Sequence, residues 1–282
     1  MTTTQDPQTT TSTSYSLGSS EREHERLRVQ ARIWEAATER VLDQTALSTG
    51  ARCLDAGCGP GETMRQLAQR VGPEGRVVGI DIDADLGRLT VKHLHTIGHR
   101  QCEFYPADLT ADTPIAGAPY DLVYARLLLF HLPDRVAVLR RLWDAVAPGG
   151  HLVVHDYDLS AVGAVPPLAS VETLGAYILE AFDAAGCETR AGSLLPTFFD
   201  RAGIGSPDGT DVAGRLGTLT DGGALLEETF RSLLPVALGH HLLTEAEADA
   251  ALAGLRDDTT AEPGRTMLLP LLIGAWKRKE TE

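Results

Sequence analysis

The middle of the chain alternates short apolar runs with longer segments whose apolar residues recur at helical spacing. The apolar runs predict one β-strand that begins at Arg52 and others over 77–81, 102–105, 121–125 and 151–156. The longer segments predict helices over 62–68, 84–97 and 135–147, with the run 148–150 (Pro-Gly-Gly) ending the last of them. Strands and helices that alternate through short links favour a parallel, doubly wound α/β sheet.

After the run 151–156 the pattern changes. A helix-like segment over 168–185 comes before any further strand, and another mostly amphipathic helical segment covers 223–254. Between and after them, strands are predicted over 208–216 and 266–276. Pro270 has no backbone N–H for a central strand, so it indicates a bulge or a strand start within the last of these.

The N-terminal part of the chain changes character once. Residues 1–14 are nearly all Thr, Ser, Gln and Pro, a composition that cannot bury enough apolar surface to fold alone, so we expect a disordered tail. A helix is predicted from Ser20 to about Leu42, because Ser20 and Glu23 have the spacing of a capping box. Its polar face fits either a surface helix with ion pairs or a lid over a ligand. That face holds Glu23, Arg26, Leu27 and Gln30.

Composition narrows the class of protein. The formal net charge of −14 disfavours nucleic acid, which needs basic surface for affinity, and favours a small-molecule substrate. No apolar run approaches a membrane span, and the N-terminus lacks the layout of a secretory signal. The four cysteines and the clustered histidines lack metal-ligand or disulfide spacing, so we expect no metal and a reducing, cytoplasmic setting. A homodimer is left open.

The glycine-rich turn after the first strand carries the most specific chemistry. It reads Cys-Leu-Asp-Ala-Gly-Cys-Gly-Pro-Gly over 53–61 and leads into a helix. Its glycines let a ligand approach the backbone amides at a helix N-terminus. Their spacing is Gly57-x-Gly59-x-Gly61 rather than the G-x-G-x-x-G of dinucleotide sites. Asp55 would repel a pyrophosphate, but it suits a ligand that carries a cationic ammonium.

This turn resembles the first motif of the class I S-adenosylmethionine-dependent methyltransferases, an acidic residue followed by G-x-G-x-G. The resemblance covers about 15–276 and is specific in the cofactor half. It implies a Rossmann-like sheet of about seven strands, the last antiparallel, with a helical cap, and S-adenosylmethionine as cofactor. The cofactor-binding residues that it implies are Gln30, Asp55, Gly57, Cys58, Gly59, Gly61, Asp81, Ile82, Ala107, Asp108, Leu109 and Arg126.

Alternatives remain for single residues of this set. Asp81 ends the second strand, where an acid accepts hydrogen bonds from ribose hydroxyls, whereas Asp83 either competes for that role or caps the next helix. Asp108 either receives the adenine amino group or bonds its own turn. Arg126 is expected beside the methionine part of the cofactor, where its carbonyl oxygen could hold the ammonium. His131 is either a base or a packing residue at a helix entry.

The polar cluster after the fifth strand supplies the candidate catalytic residues. His155, Asp156 and Asp158 lead if a base is used, although methyl transfer proceeds by positioning alone when the acceptor is nucleophilic enough. A cap over the acceptor is expected, since related methyltransferases of small metabolites carry one. The candidate substrate-binding residues are Tyr15, Arg26, Tyr157, Tyr177 and Phe198.

The resulting organisation is a tail (1–14), a lid helix (15–50), a cofactor-binding core (51–156), cap insertions (157–191 and 217–264) and the rest of the sheet (192–216 and 265–282). The expected function is methyl transfer to an O, N or C atom of a small, aromatic or heterocyclic specialised metabolite. Three alternatives stay open: a cyclase that binds the same cofactor without transferring methyl, an NAD-dependent oxidoreductase, and a non-catalytic binding protein.

Overall fold

A seven-stranded mixed sheet and a smaller three-stranded sheet build the protein in the computed structural model, which describes residues 32–281. The strands are β1 Arg52–Ala56, β2 Arg76–Asp81, β3 Cys102–Pro106, β4 Tyr120–Arg126, β5 Val146–Asp158, β6 Gly163–Val165, β7 Gly209–Ala213, β8 Leu216–Thr218, β9 Thr266–Leu268 and β10 Leu271–Arg278. The α-helices are α1 Glu35–Leu42, α2 Glu62–Val71, α3 Ala84–Thr96, α4 Arg135–Asp144, α5 Ala169–Ala184, α6 Ala191–Arg201, α7 Leu219–Gly239 and α8 Glu245–Ala261.

The large sheet has the strand order β3-β2-β1-β4-β5-β10-β7. Its first five strands are parallel, and β10 runs antiparallel to both of its neighbours, β5 and β7. The predicted fold class, a doubly wound sheet of about seven strands with the last one antiparallel, is confirmed. The strand order reverses beside β1, so that β1 and β4 frame a crevice at their carboxyl ends.

Helices cover both faces of the large sheet, and this explains why its central strands are apolar throughout. Helices α1, α2 and α3 bury Val41, Leu67 and Leu94 against one face. On the other face α4 and α6 bury Leu139 and Phe199. The predicted end of the N-terminal helix at about Leu42 agrees with α1, whereas the residues before 32 lie outside the described part of the chain.

The small sheet has the order β6-β9-β8 and lies with α5, α7 and α8 in a layer that we call the cap (β6, α5, β8, α7, α8 and β9). The sequence predicted one strand over 266–276. It is instead two strands in two sheets, because Pro270 separates β9 from β10 and cannot donate to either ladder. The helical segment predicted over 223–254 is likewise two helices, α7 and α8, joined by a turn at 240–244.

The segment before the fifth strand also differs from its prediction. Helix α4 ends at Asp144, and β5 has already begun at Val146, which pairs with Tyr120. The glycines that follow therefore do not end the helix. A Cβ at Gly150 would lie 2.7 Å from the backbone oxygen of Asp121, so this glycine is needed where two strands approach closely.

Candidate active site

A cavity of about 860 Å³ opens at the carboxyl ends of the parallel strands, bounded on the far side by the cap. Its walls come from the turn after β1, the ends of β2 and β3, the loop after β4 and the cap helices α5 and α7. This is the edge at which parallel sheets bind ligands. The predicted cofactor residues that lie on the wall are Gly57, Cys58, Gly59, Asp81, Ile82, Ala107, Asp108, Leu109 and Arg126.

The glycine-rich turn is held from behind by backbone contacts. The amides of Gly57 and Cys58 both donate to the carbonyl oxygen of Ile80, at 2.8 and 3.0 Å. The hydroxyl of Thr90 on α3 donates to the carbonyl oxygen of Gly59 at 3.0 Å. A Cβ at Gly59 would meet no heavy atom within 4 Å. The turn is therefore rigid on its inner side and open toward the cavity.

Asp81 joins this turn to the end of β2. One of its carboxylate oxygens accepts from the Gly59 amide at 2.9 Å, and the other accepts from the Asp83 amide at 3.0 Å. Burial raises the pKa of Asp81, although these two amides act in the opposite direction. Each oxygen keeps a lone pair for a further donor from the cavity. Asp83 caps α3 by accepting from the amides of Asp85 and Leu86, which is one of its two predicted roles.

An apolar slot continues the wall beyond Asp81. Ile82 is 56% exposed although it is a large apolar side chain, and Ala107 and Leu109 lie with it on the wall. Asp108 lies at the same place, with one carboxylate oxygen accepting from the amide and hydroxyl of Thr110. These bonds lower the pKa of Asp108, so the carboxylate is charged. The carboxylate therefore lies on the wall as a charged hydrogen-bond acceptor.

Asp55 lies behind the turn rather than inside the cradle, which corrects the prediction from the sequence. Its side chain points to the α2 face of the sheet, is fully buried, and receives a hydrogen bond from the amide of Met64. Burial raises its pKa to about 7, while the nearby Arg126 lowers it. One of its oxygens is buried without a partner in the described chain. Gly61, which precedes α2, also lies off the wall.

The residue that precedes α1 forms part of one side of the cavity. Trp34 is on the wall, and its indole nitrogen donates to the hydroxyl of Tyr157 at 2.8 Å. Arg126 donates to the hydroxyl of Thr38 at 3.3 Å. An ion pair of 2.6 Å between Glu35 and Arg65 ties α1 to α2. Trp34 was not predicted from the sequence, because a single buried aromatic residue on an apolar helical face is ordinary core.

Residues 53–150 match the model of the methyltransferase domain family. The chain carries a class I, S-adenosylmethionine-dependent methyltransferase domain. The domain is similar to trans-aconitate 2-methyltransferase of Azoarcus sp. (strain BH72), with 36% identity over 42% of this chain and 44% of that one. It is also similar to phosphoethanolamine N-methyltransferase of Triticum aestivum, with 32% identity over 43% of this chain and 23% of that one. The chain thus spans less than half the length of these relatives.

Some solved structures are similar in fold to most of this chain, including strands outside the matched domain. A protein of Bacillus halodurans C-125, described as a candidate methyltransferase, superposes with a TM-score of 0.58 at 17% identity, over 87% of this chain and 100% of that one. The YcgJ protein of Bacillus subtilis gives a TM-score of 0.57 at 12% identity, over 88% of this chain and 100% of that one. The predicted family and its S-adenosylmethionine cofactor are confirmed.

The glycine turn, Asp81 and the slot fit that cofactor by their own chemistry. The open face of Gly59 leaves room beside a helix N-terminus, and Asp81 offers lone pairs to hydroxyl donors. The exposed Ile82 provides an apolar face for a flat base, and the charged carboxylate of Asp108 lies on the same wall. In residues 32–281, His, Cys, Asp and Glu side chains form no group that could hold a metal ion. None of the helices in this part of the chain combines the length and the apolar composition of a membrane span.

The candidate catalytic residues of the methyltransferase domain lie off the cavity wall, which corrects their predicted position. His155 is fully buried on the α1 face of β5, where its Nδ1 atom lies 2.5 Å from the hydroxyl of Tyr124. Burial lowers the pKa of His155 to about 3, so the ring is neutral. Asp156 is fully buried on the opposite face, and Asp158 bonds Ser160 and Ser193. Because β5 is covered on both faces, alternate side chains enter the core on either side.

Of the candidate substrate residues, Tyr157 alone among those within the described chain lies on the wall. Tyr177 packs against Phe230, with ring centroids 6.3 Å apart, and Phe198 is buried in the core. Both were predicted to line the acceptor pocket, and neither does. The other predicted binding residues, Tyr15, Arg26 and Gln30, precede residue 32 and lie outside the described part of the chain.

A loop after β4 brings further residues to the wall of the cavity. Leu127 has a left-handed backbone (φ 55°), which is rare for a branched side chain and common at functional sites. The loop carries Leu128, Phe130 and His131 to the wall. His131 lies with its Nδ1 atom 3.8 Å from the sulfur of Cys187, also on the wall. This position is compatible with both predicted roles of His131, a base and a packing residue at a helix entry.

Asp156 holds this loop in position. Its carboxylate accepts from the amide of Phe130 at 3.0 Å and from that of Tyr157 at 3.0 Å. Burial raises the pKa of Asp156 to about 7, although hydrogen bonds from the amides of Phe130, Tyr157 and Leu129 act against this. The loop is therefore pinned by a carboxyl group whose folded pKa lies above the ordinary value of 3.8.

We expect the Asp156→Asn variant to gain stability relative to the native protein as the pH rises. A folded pKa above the unfolded one favours folding below pH 4, and that advantage is lost as the pH passes through about 7. The difference in free energy of unfolding should shift by on the order of a few kcal/mol between pH 4 and 8. Urea unfolding at several pH values measures it. The Asp144→Asn variant, exposed at the end of α4, controls for the lost charge, and parallel curves for the two variants would contradict the expectation.

Proposed function

We propose that the protein transfers the methyl group of S-adenosylmethionine to an O, N or C atom of a small, aromatic or heterocyclic specialised metabolite. The observation that carries the proposal is the continuity of the cavity, which joins the glycine turn and Asp81 to a second, mostly apolar part under the cap. A donor and an acceptor held in one enclosed space meet the main requirement of methyl transfer, which is orientation.

Each wall residue would contact a different part of the cofactor or of the acceptor. Bound S-adenosylmethionine supplies a methyl carbon that its sulfonium has already activated. Asp81 would accept from the ribose hydroxyls and Asp108 from the adenine amino group, with Ile82 packed on the base. Arg126 is positioned to pair with the carboxylate of the methionine part, and the buried carboxyl group of Asp55 lies behind it. Trp34 and Tyr157 would border the acceptor.

A general base is not required by this arrangement. His155, Asp156 and Asp158 are turned into the core, so none of them reaches an acceptor from its present position. His131 is the histidine on the wall among the described residues, and it would take a proton from an acceptor too weakly acidic to react unaided. The four cysteines are buried and lack disulfide spacing in the sequence, which supports a cytoplasmic enzyme. A homodimer is part of the same proposal.

Incubation of the protein with methyl-labelled S-adenosylmethionine and a metabolite extract of the producing cells tests the function. We expect a labelled small molecule and an equal amount of S-adenosylhomocysteine, identified by mass. The Asp81→Ala variant should form less of both at a subsaturating cofactor concentration. An altered acceptor with intact cofactor would indicate the cyclase instead. A pure protein that binds neither S-adenosylmethionine nor S-adenosylhomocysteine would contradict the proposal.

A further inference from the structure

The part of the cavity under the cap is lined differently from the cofactor part. We call it the acceptor pocket; it is walled by α5, α7 and residues 267–270. One face of α5 turns Val171, Gly175, Ala176 and Leu179 toward it, since these positions recur at helical spacing. From α7 come Leu225 and Leu226. A space with such walls binds its ligand by apolar contact.

The charges around the acceptor pocket have one sign. Among the described residues of its three walls, Glu172 is the charged side chain, and no lysine or arginine of α5, α7 or residues 267–270 lines the cavity. Arg126 lies across the cavity on the sheet side, where it donates to Thr38 and lies near the buried Asp55. An anionic group under the cap would therefore lose its water without gaining a cationic partner from these three walls, which disfavours its binding.

We propose that the methyl acceptor is an apolar molecule without a carboxylate, sulfonate or phosphate group, and that Glu172 receives its hydroxyl or ammonium donor. This inference rests on the proposed function. It separates this chain from the two relatives above, whose names specify trans-aconitate and phosphoethanolamine, compounds that each carry an anionic group. The difference lies in the cap, which is outside residues 53–150 that match the family model.

Two fluorescent probes that differ by one group provide the test. N-phenyl-1-naphthylamine is neutral, and 8-anilinonaphthalene-1-sulfonate carries the same rings with a sulfonate. In the presence of saturating S-adenosylhomocysteine, we expect the neutral probe to bind the protein at least about tenfold more tightly, as 1.4 kcal/mol of discrimination implies. Equal or tighter binding of the sulfonate would overturn the inference. Calorimetric titration with S-adenosylhomocysteine alone tests the proposed function separately.

Three variants of α5 test whether the neutral probe binds in the acceptor pocket. A Cβ at Gly175 would meet nothing within 4 Å, so Gly175→Leu adds a side chain that projects into the pocket without breaking the helix. It should weaken the neutral probe at least about tenfold and leave S-adenosylhomocysteine binding unchanged. Leu179→Arg should reverse the preference between the probes, whereas Thr173→Arg, exposed and off the wall, should not. Neutral-probe binding that survives Gly175→Leu would overturn the inference.

Discussion

Replacing Asp81 with alanine is expected to raise the dissociation constant of S-adenosylhomocysteine at least about tenfold. The half-buried carboxylate of Asp81 is a hydrogen-bond acceptor on the wall of the cofactor half, and a charged hydrogen bond contributes about 1.5–3 kcal/mol. The substitution also removes the acceptor of the Gly59 amide, which lets the glycine turn move away from β2. Both effects act on the same ligand.

Isothermal titration with S-adenosylhomocysteine measures this loss, and thermal unfolding shows whether the variant is folded. Asp85→Ala is the matched control, because Asp85 is an exposed carboxylate four residues further along that pairs with Arg88 on the surface. It should bind the ligand as the native protein does. A folded Asp81→Ala variant with native affinity would exclude Asp81 from the cofactor site.

The glycines of the turn should separate stability from binding. Gly61→Ala is expected to lower the free energy of unfolding by about 2–4 kcal/mol, since its φ of +80° is left-handed and its Cβ would lie 2.3 Å from a methyl group of Thr90. Gly59→Ala bears only the left-handed cost of about 1–2 kcal/mol. Its Cβ points into free space on the cavity wall, so it should weaken S-adenosylhomocysteine binding at least about tenfold.

Urea unfolding with and without the ligand distinguishes the two variants. Gly61→Ala should be the less stable one in the absence of ligand, because Thr90 must move and then loses its bond to the Gly59 carbonyl. Gly59→Ala should be the one whose stability responds less to added S-adenosylhomocysteine. If both variants lost stability and binding equally, the turn would not have the rigid inner side and open outer side described above.

The cofactor half could be predicted from sequence because its signals are local. A buried strand, the spacing of Gly57 and Gly59 and the acid at the end of β2 lie in short segments whose geometry follows from the strand-turn-helix pattern. The caps of α3 and α8 follow from neighbouring residues as well: Asp83 caps the first, and Thr244 with Glu247 forms a capping box on the second. Such features need no knowledge of distant contacts.

The acceptor half could not be predicted in the same way, since it depends on distant pairings. Strands β6, β8 and β9 are three residues each and acquire their form only by pairing with one another. His155 and Asp156 were predicted as candidate catalytic residues because they are polar and lie at the end of a strand. Their burial depends on α1 and on the loop after β4, which cover the two faces of β5. Polar residues within a strand covered on both faces look alike in sequence whether they bind a ligand or the backbone.

Each strand of the cap is joined to a strand of the large sheet by a very short connection: residues 159–162 link β5 to β6, 214–215 link β7 to β8, and 269–270 link β9 to β10. With the connection from α5 to α6 at 185–190, the cap meets the rest of the chain at four short junctions. The segments that would recognise the acceptor can thus be exchanged there without changing the segments that would hold the methyl donor. A chimaera joined at these junctions would combine the cap of another methyltransferase with the cofactor-binding sheet of this protein. Such modularity offers a route by which acceptor preference diversifies while the donor chemistry stays constant.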